Sequence, residues 1–119
     1  MSQQVKLKTQ VRPVNAVASI IDIYGEINAF AEQELNEAYN LANRPGVKAI
    51  ILNMSNLEYM NSSGIGLLVT LLIRANRLKQ HLMVYGLSEH YQQIFELTRL
   101  SGAIQVYDTE RAAVQAASA

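Results

Sequence analysis

The sequence predicts an α/β fold in which an N-terminal hairpin is followed by alternating helices and strands. Three observations carry this. Residues 4–12 alternate apolar and polar side chains and are followed, after a short turn, by a run rich in branched residues. Residues 47–54 form an unbroken apolar stretch of strand length. Four further segments have helical spacing, and short strand-like runs separate them. The expected order is ββαβαβαβα, with a mixed sheet and helices packed against it.

Each element has its own signals. From Gln4 to Arg12, Val5, Leu7, Thr9 and Val11 fall on one side and the lysines and glutamines on the other, until Pro13 and Asn15 break the strand. Ala16 to Tyr24, with Val17, Ile20, Ile21 and Ile23, is the returning arm, and Gly25 ends it. Over Phe30–Asn43 the apolar period lengthens, placing Ala31, Leu35, Ala38 and Ala42 on one helical face, and Pro45-Gly46 stops that helix. Val47–Met54 is then a strand covered on both faces.

Ser62–Gln80 returns to helix, strongly apolar as far as Ile73 and polar afterwards, so its first half is expected to be buried. Leu82–Tyr85 is a short strand. Ser88 caps a helix that carries Tyr91, Ile94, Phe95 and Thr98 on one face and ends near Ser101-Gly102. Ala103–Tyr107 is the last strand, and Asp108 and Thr109 are candidate caps for a final helix over Glu110–Ala117. No linker, repeat or low-complexity tract interrupts residues 1–119.

Bulk properties narrow the function. A chain of 119 residues is long enough to bury roughly two thirds of its unfolded surface in one core. Ten basic and ten acidic side chains cancel, so the long-range positive field that gathers nucleic acid is missing. Cysteine is absent, which removes disulfides, thiol catalysis and thiolate zinc sites. The start, Met1-Ser2-Gln3-Gln4-Val5-Lys6, lacks the apolar core of an export signal, and the longest strongly apolar run, Ile65–Ile73, falls short of the roughly 20 residues of a membrane span. A cytoplasmic protein without membrane contact is expected.

Four places could carry function. Asn61-Ser62-Ser63-Gly64-Ile65-Gly66 opens the most apolar helix, where a serine can cap the free amides of the first turn or display a hydroxyl for phosphorylation. Gly64 and Gly66 leave room for a partner, and the loop has neither the spacing nor the lysine of a P-loop. Gly25-Glu26-Ile27-Asn28, at the end of the second strand, reads as the turn into the first helix. The two histidines, His81 and His90, have no cysteine or acidic cluster nearby, so neither metal nor cofactor is expected. Tyr59, Met60, Tyr91, Ile94 and Phe95 are core residues or, where exposed, a docking patch. No catalytic constellation of an enzyme is apparent.

These segments together resemble the STAS (sulfate transporter and anti-sigma factor antagonist) domain family, above all its stand-alone anti-sigma factor antagonists, over essentially the full length. The resemblance rests on Gly25–Asn28, on Ala49–Met54, on Leu57–Leu67 and on Leu97-Thr98-Arg99-Leu100-Ser101-Gly102. It implies a single STAS domain over residues 1–119 and a partner switch in bacterial signalling. The unmodified protein binds an anti-sigma factor that is also a serine kinase, phosphorylation at Ser62 (alternatively Ser63) releases it, and a serine phosphatase resets it. Asn28, Asn61, Ser63, Gly64 and Gly66 are then the partner-binding residues. Asn28 and Asn61 stand where the family often has aspartate. An antagonist is expected as a monomer or dimer; the alternative is a scaffold subunit of a stressosome-like assembly.

Overall fold

The computed structural model describes residues 6–119. The predicted strand start at Gln4 and Val5, and the polar leader, lie outside the described residues. Strand β1 (Lys8–Asn15) pairs antiparallel with β2 (Ala18–Ile27), and β3 (Ala49–Met60), β4 (His81–Tyr85) and β5 (Gln105–Tyr107) add in parallel, giving the sheet order β1-β2-β3-β4-β5. Helices α1 (Glu32–Ala42), α2 (Ser62–Arg77), α3 (Glu89–Leu97) and α4 (Glu110–Ala117) complete the predicted ββαβαβαβα order.

Because the parallel strands advance across the sheet in one direction, right-handed crossovers put α1, α2 and α3 on the same face. The core there joins Ile21, Ile23, Ile50, Leu52 and Val84 to Leu35, Tyr39, Leu68, Leu71 and Phe95. The final helix folds back across the other face and covers Ala18, Ile20, Ala49, Ile51 and Met83 with Ala113 at its centre. Both faces of β2 over Ala18–Ile23, of β3 over Ala49–Met54 and of β4 over Leu82–Tyr85 are therefore dry, which is why those stretches read as mostly apolar runs.

Several boundaries differ from the sequence reading. Strand β1 runs through Pro13 to Asn15, because an edge strand has no outer ladder for the missing amide to break, and the register shifts there. Strand β2 continues through Gly25, whose φ of 93° glycine adopts without steric cost, to Ile27. Its partner β3 extends with it, six residues past the predicted end at Met54, through the mostly exposed Ser55–Tyr59 and a second register shift. Helix α3 ends at Leu97, and the chain turns at Arg99, which takes the left-handed φ of 63° in place of a glycine.

The first half of α2 is also more exposed than its composition suggests. Ile65, Leu67 and Val69 are half-buried and Ile73 is 53% exposed. The fully buried stripe is Gly64, Leu68, Leu71, Leu72 and Ala75, with Ile65, Leu67 and Val69 packed at its margins, since a helix lying on one face of a sheet has its outer side in solvent.

Candidate functional site

Strands β2 and β3 project beyond the end of β4, whose pairing with β3 stops at Asn53–Tyr85. At the tip of this projection Ile27 pairs with Met60, so the residues that follow them, Asn28 and Asn61, leave the sheet side by side. The Asn61 amide donates to the Ile27 carbonyl at 3.3 Å. Tyr91 holds the tip from α3, its hydroxyl accepting from the Met60 amide at 2.8 Å.

The two asparagines do similar local work. The Asn28 Oδ1 accepts from the Phe30 amide at 2.9 Å and starts a 3-10 turn over Ala29–Ala31. The Asn61 Oδ1 accepts from the Gly64 amide at 2.9 Å, making Asn61 the cap of α2. That removes the capping reading of the serine: Ser62 and Ser63 occupy the first two helical positions, are exposed, and are not the cap. Asn61→Ala is expected to lower stability by about 1 kcal/mol, seen as a small fall in the thermal midpoint, and Asn61→Asp should restore it, because a carboxylate caps equally well and opposes the helix dipole.

Charge sets this helix start apart. The first turns of α1, α3 and α4 carry Glu32 with Glu34, Glu89 and Glu110, whereas that of α2 has no acid. The positive end of this 16-residue helix therefore carries no acidic side chain in its own first turn. From Ser62 an exposed stripe runs along the helix through Gly66, Thr70, Ile73 and Arg77.

The glycines divide. Gly64 is buried against the tip of β2, where an added Cβ would lie 2.1 Å from the Ile27 carbonyl oxygen. At Gly66 a Cβ would meet nothing within 4 Å, so this position is open surface. The aromatic set divides as well: Met60, Tyr91 and Phe95 are buried and Ile94 is partly so, but Tyr59 is 52% exposed. Phe30, which the sequence reading did not single out, is 85% exposed just after Asn28. Its signal was its place off the stripe of Ala31, Leu35 and Ala38.

The predicted residues Asn28, Asn61, Ser62, Ser63 and Gly64 thus converge at one end of the sheet, with Gly66 one turn along. Of the two histidines, His81 lies apart from them and His90 adjoins the residue that holds the tip. His81 begins β4 at the other end, and His90 packs edge-on to Tyr91 with ring centroids 4.9 Å apart. Among the described residues no three acids or histidines are grouped as metal ligands, and no helix is long and apolar enough to cross a membrane.

Comparison with known proteins agrees with this architecture. The STAS domain profile matches residues 7–113. An anti-sigma-B factor antagonist of Staphylococcus aureus is 30% identical over 86 residues, 72% of this chain and 80% of that protein. An anti-sigma factor antagonist from Mycobacterium paratuberculosis has a structure similar to this one with a TM-score of 0.82, at 19% identity and with full coverage of both chains. The Bacillus cell fate determinant SpoIIAA in its phosphorylated form gives a TM-score of 0.69 at 22% identity, covering 91% of this chain and 97% of its own. SpoIIAA in its unphosphorylated form gives 0.71, again at 22% identity, covering 91% and 96%. With a family profile spanning nearly all of its folded length, and the strand order and helix placement to match, this chain belongs to the STAS domain family.

Proposed function

We propose that this protein is a cytoplasmic anti-sigma factor antagonist, a binding module and not an enzyme, whose grip on an anti-sigma factor with serine kinase activity is released by phosphorylation of Ser62. The observation that carries the reading is the exposed Ser62 hydroxyl at the first position of α2, at the end of the sheet where Phe30 and Tyr59 are also exposed and with no acid in the helix's own first turn. Apolar surface of that kind favours docking by another protein. The positive end of the helix dipole favours a phosphoryl group at this position.

Once attached, the phosphate brings about 1.5 to 2 negative charges into a contact that had been neutral. Its own domain accommodates the charge through the helix start, while the partner must desolvate it or meet it with like charge, so release follows without a change of fold. Asn28, Asn61, Ser63 and Gly66 form the remainder of the docking surface, and a serine phosphatase returns the protein to its binding state.

Incubation with the cognate kinase and ATP, followed by phosphopeptide mapping, tests the assignment. Modification is expected on Ser62, with Ser63 as the alternative acceptor. Ser62→Ala should keep partner binding and Ser62→Asp should weaken it roughly 30-fold, the effect of about 2 kcal/mol. Equal binding by both variants, with no phosphate on either serine, would overturn the switch.

A further inference from the structure

At the end of the sheet opposite Ser62, the start of β4 and the residues leading into β2 and β3 meet the last turn of α4 around a cavity of about 460 Å3. Val17, Met83 and Ala117 supply apolar wall, Lys48 and Lys79 supply charge, and His81 adds a ring nitrogen for hydrogen bonding. No lining side chain is a carboxylate; the acidic group on the wall is the main-chain carboxylate of Ala119, which forms no ion pair with either lysine. Among the described residues the ion pairs are those of Arg12 with Asp22 and Glu110, so neither lysine has an acidic partner.

The segments that hold these groups are tied together. Buried Gln80 accepts from the Tyr39 hydroxyl, and its amide nitrogen donates to the Asn43 side chain at 2.6 Å and to the Val47 carbonyl at 3.2 Å. The Lys48 amide donates to the Val17 carbonyl at 2.7 Å and the His81 amide to the Lys48 carbonyl at 2.8 Å. On the far wall, the Asn15 side chain donates to Ser118 at 2.9 Å and fixes the end of α4. Lys79 itself stands at a left-handed φ of 58°. A buried side chain that joins both cation-bearing loops holds two like charges on one rim, an arrangement that a bound anion stabilises.

We propose that this cavity binds a small organic dianion, the chemistry shared by phosphate monoesters and dicarboxylates, with Lys48, Lys79 and His81 on the anionic groups and Val17 and Met83 against the carbon body. Its volume is in the range of small-molecule sites. The twelve residues of β3, about 40 Å of strand, separate it from Ser62, so the two surfaces can be occupied independently.

Titration of the full chain with phenyl phosphate, and in parallel with phthalate, followed by amide chemical shifts at matched ionic strength, tests this. The expected result is saturable change at Lys48, Lys79 and His81 but not at Ser62, with whichever compound binds more tightly identifying the anionic group. Lys48→Ala and Lys79→Ala should each weaken binding about fivefold, while Ser62→Ala binds as the unaltered protein does. These lysines are exposed, so both variants should fold, which the spectra themselves verify. Absence of saturable change with either compound, or change that persists unaltered in the double lysine variant, would overturn the proposal.

Discussion

Gly64→Ala is expected to destabilise the protein by about 3 kcal/mol, lowering the thermal midpoint by roughly 10 °C, although alanine is the better helix former. The added methyl would lie 2.1 Å from the Ile27 carbonyl oxygen, 2.8 Å from its carbon and 2.8 Å from the Met60 side chain. Two of those atoms are backbone in a paired strand, so α2 itself must move away from the β2 tip. That shift would also displace Ser62, and partner binding should fall with stability. Gly66→Ala is the control: its methyl enters open space, and a gain of about 0.5–1 kcal/mol is expected. Thermal and urea unfolding of the two variants would measure both. Equal effects would contradict the tight approach of α2 to β2.

Asp22→Ala is expected to cost about 2–3 kcal/mol, less than breaking a fully buried pair, because the guanidinium it leaves is partly exposed and keeps Glu110. The Asp22 carboxylate is nearly buried in β2 and accepts from Arg12 at 2.6 and 2.9 Å and from the Asn53 side chain at 2.7 Å. Arg12 also donates to Glu110 of α4 at 2.7 Å, and the Tyr85 hydroxyl donates to the same Glu110 oxygen at 2.8 Å. One network therefore ties β1, β2, β3 and β4 to the first turn of the final helix. Loss of Asp22 should loosen that helix as well as the hairpin, which hydrogen exchange in α4 would register.

The same network gives a pH dependence. Burial pushes the Asp22 carboxyl up, but hydrogen bonds from Arg12 and Asn53 outweigh it and hold the group below its ordinary value. Glu110 is lowered too, by its bonds from Arg12 and then Tyr85. A carboxyl depressed in the folded state favours folding wherever it is ionised in both states. The stabilisation is therefore complete above the ordinary carboxylate range and is lost as pH falls through the depressed values. The stability gap between the unaltered protein and Asp22→Ala should be full at neutral pH and shrink below about pH 4. A gap that stays constant into acid would show that the carboxylate charge is not what holds the network.

Much of this was legible in the sequence because local patterning and the global fold agree. The apolar runs of β2 and β3, the stripe of Leu35, Ala38 and Ala42, and the Ser88 and Thr109 caps each reflect interactions within a few residues or a uniform demand for burial. The grouping of Asn28 with Ser62 was reachable through family resemblance, since nothing local relates residues 34 positions apart.

Other features had no local signal. Asp22 in a run of isoleucines was the only hint of a network whose members are up to 98 residues apart, and neither Arg12 nor Glu110 reads as anything but surface charge. The extension of β3 through polar residues depended on β2 continuing beside it. Which residue caps α2 depended on where the β3 tip delivers the chain, and that tip is fixed by Ile27 and Tyr91. The sequence by itself determined the elements and their order, because hydrophobic periodicity acts at short range. Only the tertiary structure decided that Asn61 caps, that Gly64 admits no side chain and that Ser62 is left free, because those outcomes rest on backbone positions set by strand register across the sheet.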